Sequence, residues 1–221
     1  MAMATRTPES KRSGSPFAEL LADNARSLQK MNTDEVSLLK ELAENGQHPH
    51  TVAAACADSR VLIGAPGRIF VNRSIGEEMD RATTAGFEYA IAVLHAKNGV
   101  IVAHTKCGAV GAAIEKNSIG VNGSHAVDDD SALGVTITNL ARGLRRKGSP
   151  TDHTQAAIEN AIVQGERLVA GSPIVRDALA RGEFTLGIVL DDISTGRLEV
   201  VKVGVYSNDT EKIAFVDPHQ H

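Results

Sequence analysis

The sequence predicts an α/β fold: a central, mostly parallel sheet flanked by helices, with two helices ahead of it and an antiparallel hairpin at its late edge. Three observations predict it. Val52–Ala55 and Gly99–Ala103 are short, wholly apolar runs, the pattern of strands buried on both faces. Stretches of helical periodicity stand between and after them, as parallel connections require. Finally, Ser194-Thr195-Gly196 joins two β-rich runs, Phe184–Leu190 and Leu198–Val203, which is a hairpin signal.

Taken in order, residues 1–16 are rich in Ser, Thr, Lys, Arg and Pro and hold little that could be buried, so a disordered tail is expected. That composition also suits an organelle targeting segment, although no amphipathic apolar face accompanies it. Phe17, Leu20, Leu21 and Leu28 follow helical spacing, and a second helix runs over 33–45 with Val36, Leu39 and Leu42 on one side. Asn32 with Glu35 forms its capping pair and Gly46 its stop. Residues 82–96 read as a buried helix carrying Phe87, Ile91 and Leu94, with His95 placed where a helix C-terminus favours positive charge. The stretch 117–127, with Gly120, Gly123 and His125, reads as a flexible linker. Asp128-Asp129-Asp130 then open a helix closed by Arg142, Arg145, Arg146 and Lys147, charges that complement its dipole. Read instead as a metal-binding cluster, the three aspartates lack a second group to complete them.

Asp152 and Gln155 cap a helix with Ile158, Ile162 and Val169 on one face, and Pro173 starts a short helix that Gly182 stops. Alternation in 198–203 suggests a strand with an exposed edge. The main domain is expected over 17–203, its helical N-terminal part over 17–46, and 204–221 as an extension whose His219 and His221 are solvated.

Bulk properties exclude several classes. At 221 residues the chain can bury a real core as one domain. A net charge of −4 gives no polybasic footprint for nucleic acid or an anionic membrane, and the absence of tryptophan leaves no stacking platform for single strands. No apolar run is long enough for a membrane span or a signal sequence.

The chemistry concentrates in Cys56-Ala57-Asp58-Ser59-Arg60 and His104-Thr105-Lys106-Cys107, which contain the only two cysteines. Two thiolates and an imidazole are good zinc ligands, and three protein ligands leave the fourth tetrahedral position for water or substrate. Cys56 and His104 end the two apolar runs, so both stand at the carboxyl ends of neighbouring strands, where open α/β sheets place their sites. Cys107 lies one turn beyond His104, ahead of the small-residue run that opens a helix at Gly108. Asp58 and Arg60, two apart, point to the same side of an extended segment and can pair, keeping Asp58 ionised. Two cysteines used as thiolates imply a reducing compartment, here the cytoplasm. A disulfide, or two inert buried thiols, is the plainer alternative for the cysteines alone.

Cys-x-Asp-Ser-Arg followed by His-x-x-Cys-Gly resembles the β-class carbonic anhydrase family, which includes carbonyl sulfide and carbon disulfide hydrolases. The resemblance runs over roughly residues 17 to 203. Pro66-Gly67-Arg68-Ile69-Phe70-Val71-Asn72-Arg73 resembles that family's second strand, and Glu88-Tyr89-Ala90 its next helix. Ser172-Pro173-Ile174-Val175-Arg176 and Thr195-Gly196-Arg197-Leu198 resemble its late helix and final hairpin.

The resemblance implies a Zn²⁺ cofactor on Cys56, His104 and Cys107, with Asp58 and Arg60 as a catalytic dyad and Asp58 a fourth ligand in a closed state. It implies a substrate pocket formed by Gln47, Phe70, Ile75, Tyr89 and Gly108. It further implies a homo-oligomer, a dimer or tetramer, in which the N-terminal helices serve as an arm around the partner subunit. The expected reaction is reversible hydration of carbon dioxide to bicarbonate, zinc lowering the pKa of a bound water from about 15.7 toward ~7. Carbonyl sulfide or carbon disulfide hydrolysis on the same ligands is the nearest alternative; a non-catalytic bicarbonate sensor stands further off. Three departures bear on the pocket. The loop between Arg60 and Pro66 is shorter than the family's, Arg-Asn-x-Ala-Asn is replaced by Arg73-Ser74-Ile75-Gly76-Glu77, and Ala53 replaces a tryptophan that belongs to an inhibitory bicarbonate site in some members.

Overall fold

The computed structural model describes residues 17–119 and 130–219. The expected tail 1–16, most of the expected linker, Asp128, Asp129 and His221 lie outside the described residues. The chain divides into two compact units at Gly46 and Gln47, and each is described by itself.

In the first unit, α1 (Ala18–Lys30) and α2 (Thr33–Asn45) bury none of their residues. Helix α2 begins where its sequence says it should. The Asn32 side chain accepts from the Glu35 amide at 3.0 Å and the Glu35 carboxylate accepts from the Asn32 amide at 2.8 Å, a reciprocal cap. Gly46, at φ 80°, ends it in a conformation that side chains with a Cβ avoid.

The second unit is built on a six-stranded sheet in the order β2-β1-β3-β4-β5-β6. Strands β1 (Thr51–Cys56), β2 (Ile69–Ser74), β3 (Asn98–His104) and β4 (Thr185–Asp192) are parallel; β5 (Arg197–Ser207) and β6 (Lys212–Val216) are antiparallel. Five helices connect and flank them: α3 (Arg81–Ala92), α4 (Gly108–Ile119), α5 (Ala132–Arg146), α6 (His153–Gly171) and α7 (Pro173–Ala180). This is the α/β arrangement that the apolar runs predict. All six residues of β1 are buried, which is why its sequence is continuously small and apolar with no polar face.

Three boundaries differ from expectation. Helix α3 stops at Ala92, not at 96. The Ala96 amide turns back to the Ala90 carbonyl at 2.9 Å, and His95 takes the left-handed φ of 57°, so it lies past the helix. Helix α5 is capped by Ser131, whose hydroxyl accepts from the Gly134 amide at 3.0 Å. Strand β5 continues through 203 to Ser207, and β6 pairs with its 203–207 part only, so 197–202 keep an uncovered outer edge while the extension beyond is interior to the sheet. Phe215 of β6 packs against α6 at Gly165, where an added Cβ would fall 2.6 Å from its ring.

Strand registry positions the site. β1 pairs with β3 on one side and β2 on the other, so Cys56, His104 and Ser74 end three adjacent strands at the same end of the sheet.

Candidate metal centre

Cys56 closes β1 and His104 closes β3, both carried to the sheet end on buried backbone. After His104 the chain makes one tight turn, with Lys106 at φ 55°, and returns Cys107 to the same point before α4 begins at Gly108. The two Sγ atoms and the imidazole nitrogen lie within 4.8 Å of one another, and all three residues are buried. His104 Nδ1 is 3.0 Å from the Thr105 carbonyl, which can only accept, so Nδ1 carries the proton and Nε2 presents its lone pair. That Nε2 is fully buried without a hydrogen-bond partner. A buried, orphaned nitrogen beside two thiols is costly unless a cation takes it, and this nitrogen and sulfur set is the one zinc prefers. The residues therefore fit the metal that the sequence implies. Neither cysteine forms a disulfide.

Electrostatics set the protonation of the metal-free site. A hydrogen bond from the Cys107 thiol is the largest influence on Cys56; against burial, and with help from His104 and the Asp58 and Gly76 amides, it lowers the Cys56 pKa far below the usual thiol value. The same hydrogen bond, with burial, pushes Cys107 up, so Cys107 keeps its proton while Cys56 is the thiolate. Burial opposes a charge on His104, but the negative charge of the adjacent Cys56 thiolate outweighs it and raises the imidazole.

Asp58 and Arg60 meet as the spacing predicts. Arg60 donates from Nε to Oδ1 at 2.9 Å and from Nη2 to Oδ2 at 2.6 Å, while its own amide donates to Oδ1 at 3.0 Å. The guanidinium holds the Asp58 carboxyl well below the usual carboxylate range. Asp58 is thus occupied by Arg60 and stands outside the three-donor group. The short loop after Arg60 is fixed by Arg73, whose guanidinium donates to the Cys56 carbonyl at 2.9 Å and the Val61 carbonyl at 3.1 Å.

The expected pocket residues divide. Gly108 begins α4 next to Cys107, and an added Cβ there would meet nothing within 4 Å, so its backbone faces open space. Ile75 follows Ser74, the register partner of Cys56, and is 45% exposed. Phe70 and Tyr89 stack, ring centroids 5.8 Å apart, but Phe70 is level with Val52, four residues down the strand from Cys56. At about 3.3 Å per residue that is ~13 Å away from this chain's own three-donor group. Gln47 is exposed and makes no hydrogen bond among the described residues.

Two buried carboxyls near the donor group escape sequence reading. Asp191, level with His104 on β4, is fully buried with neither oxygen hydrogen-bonded, and burial raises its pKa. Glu77 follows Gly76 in the turn after β2, where φ is 62° at Gly76 and 44° at Glu77. A Cβ at Gly76 would fall 2.6 Å from Leu140, so the turn accepts only glycine there. Glu77 Oε1 accepts from Asn160 Nδ2 at 2.8 Å, and Asn160 Oδ1 accepts in turn from Gln164 Nε2 at 3.1 Å. The three side chains form a buried polar row from α6 to the site.

Burial, only partly offset by the Asn160 hydrogen bond, pushes Glu77 from its ordinary 4.5 up to about 8. Between those values the folded chain holds a proton that the unfolded chain has released, so stability falls as pH rises across that window. Glu77→Gln, which keeps the acceptor for Asn160, is expected to flatten this part of the profile. In the metal-free chain the difference reaches on the order of 4 kcal/mol near pH 8, read by urea unfolding at stepped pH. Parallel profiles for the two chains would remove Glu77 as the source.

Comparison with known proteins matches residues 51–198 to the family model described as carbonic anhydrase. A carbonic anhydrase of Saccharomyces cerevisiae is 28% identical over 214 residues, covering 90% of this chain and 93% of that protein. One from Candida albicans is 26% identical over 198 residues, covering 86% and 70%. Among solved structures, a tetrameric β-carbonic anhydrase of Sordaria macrospora superposes with a TM-score of 0.66 at 24% identity, covering 84% of this chain and 96% of its own. A β-carbonic anhydrase of Aspergillus fumigatus gives 0.65 at 25% identity, covering 84% and 90%. The matched span contains Cys56, Asp58, Arg60, His104 and Cys107, and with them at the end of this sheet the chain belongs to the carbonic anhydrase family, in its β class.

Proposed function

We propose that this chain catalyses the reversible hydration of carbon dioxide to bicarbonate, with zinc held by Cys56, His104 and Cys107. The observation that carries the reading is the donor set itself: two buried thiols and an orphaned imidazole nitrogen within 4.8 Å, with Asp58 engaged elsewhere. Zinc bound there supplies the Lewis acidity that delivers hydroxide from water near neutral pH.

The chain's own residues do the rest. Asp58, kept ionised by Arg60, has lone pairs left to accept a hydrogen bond from an oxygen entering beside the donor group, which orients that oxygen toward substrate. Arg60 also reaches the Lys106 carbonyl at 3.5 Å, tying the dyad to the turn that carries Cys107. The Gly108 amide, at the start of α4, offers a donor for a product oxygen. Ile75 supplies apolar surface suited to a linear uncharged gas. Gln47 is read as a further donor to product.

Phe70 and Tyr89, far from this chain's own ligands, fit a pocket shared across a subunit boundary in a homodimer or tetramer. The Sordaria macrospora relative is tetrameric. An active monomer in sedimentation would end this part of the reading. Free thiols at the site suit a reducing, cytoplasmic setting, and no described helix is long and apolar enough to cross a membrane.

The deciding experiment is stopped-flow carbon dioxide hydration by the zinc-loaded protein, with sulfide release from carbonyl sulfide followed in parallel. Fast hydration with little sulfide is expected. Sulfide release without hydration would reassign the substrate, and silence on both gases would overturn the catalytic reading.

A further inference from the structure

Away from the metal centre, Arg142, Arg145 and Arg146 of α5 and Arg167 of α6 line a surface basin of about 520 Å³, with Asn139 as its only other lining residue. We propose that this basin is a binding site for a soluble, multiply charged phosphoryl ligand, a phosphate monoester or diphosphate.

Charge is the first argument. The whole chain carries −4, yet four arginines line this one basin with no carboxylate among its lining residues. None of the four makes an ion pair among the described residues. Of the nearby carboxylates, Glu166 pairs with Lys147 at 2.6 Å, while Glu78, hydrogen-bonded to Thr136 at 2.7 Å and Asn139 at 2.8 Å, acts on Arg167 through its charge without an ion-pair contact. Arg142 and Arg146 are four apart on one helix face, a like-charge spacing that destabilises a helix in isolation. The dipole of α5 accounts for Arg145 and Arg146 in its last turn. It does not account for Arg142, nor for Arg167 arriving from a different helix.

Preorganisation is the second argument. Arg167 is half-buried, and its guanidinium is fixed by donation to Gln164 Oε1 at 3.3 Å and to the Asn139 carbonyl at 3.2 Å. Both acceptors are neutral. Burial lowers its pKa and the charge of Arg146 lowers it further, against the opposing charge of Glu78, so the group is held charged, partly desolvated and only partly compensated. An anion relieves all three conditions at once. The planar fork of arginine matches phosphoryl oxygens in pairs, and every cation lining the basin is an arginine. A monoanion such as bicarbonate would leave most of this charge uncancelled, which selects a ligand of two or more negative charges.

The test uses the zinc-loaded, full-length protein and inorganic pyrophosphate as the probe, by titration calorimetry at roughly 0.15 M ionic strength. The comparison chain is Arg142→Gln with Arg146→Gln, two exposed positions outside the hydrogen-bond network of Arg167. The proposal expects pyrophosphate to bind the unaltered chain at one site, with the double substitution weakening it by at least about tenfold at unchanged zinc content. A titration with bicarbonate should show no binding that the double substitution removes. Equal pyrophosphate affinity in both chains would place the ligand elsewhere, the metal included, and would overturn the proposal. Absence of binding to the unaltered chain would do the same, as would retention only on vesicles containing phosphatidic acid, which would make the ligand a lipid headgroup.

Discussion

Asp58→Ala is expected to lower carbon dioxide hydration by about 10²–10⁴-fold, the range for loss of a positioned proton-transfer group, while zinc per chain stays unchanged. The expectation follows from the Asp58 carboxylate standing outside the three-donor group and being held by three donors from Arg60. Arg60→Ala should act in the same direction by another route. Its side chain is 53% exposed, so its loss costs the fold little, but it frees a carboxylate to swing toward the metal. Stopped-flow rates and metal analysis on the same preparations check both. A near-normal rate in either chain would remove the pair from the catalytic machinery, and loss of zinc from Asp58→Ala would make the residue a ligand.

The second large effect concerns the metal. Zinc bound by such donor sets is worth roughly 10–16 kcal/mol in zinc-finger peptides. Cys56→Ser or His104→Ala removes one of three donors and should weaken zinc by at least ~10³-fold, abolishing activity with it. The sign of the pH dependence follows from the thiols. In the metal-free chain Cys107 holds its proton, and zinc must displace it. Affinity should therefore rise with pH, and binding should release protons to an unbuffered indicator. Pre-formed Cys56 thiolate gives the ion a first anchor at a pH where an ordinary cysteine is still protonated. Full zinc content in Cys56→Ser would refute this assignment.

Much of this centre is legible in the sequence because its parts are local. A wholly apolar run ending at Cys56, another ending at His104, and a cysteine one turn later leave few alternatives for where three donors can meet. Asp58 and Arg60 are two residues apart, and their pairing needs only an extended segment between them. Helix starts at Asn32 and Asp152 are legible for the same reason, since each cap bonds an amide three residues on. What sequence does not disclose is long-range. Glu77 meets Asn160 across 83 positions, and neither residue's neighbours signal burial. Asp191 reads as one more polar residue ahead of a turn until β4 is laid beside β3. The end of α3 has no glycine or proline to announce it. Strand β6 is only five residues long and follows a polar turn, so its apolar positions become meaningful only once β5 offers an edge.

That last strand has a consequence for handling the protein. A chain cut after residue 203 would keep every candidate zinc ligand and the dyad, yet it would lose the outer part of β5 and all of β6. With β6 gone, Val203 would join the already uncovered Leu198 and Val200 on an open strand edge, a longer template for edge-to-edge aggregation. The face of α6 at Gly165 would lose its aromatic cover at the same time. Solubility on expression is thus written into residues that never approach the chemistry.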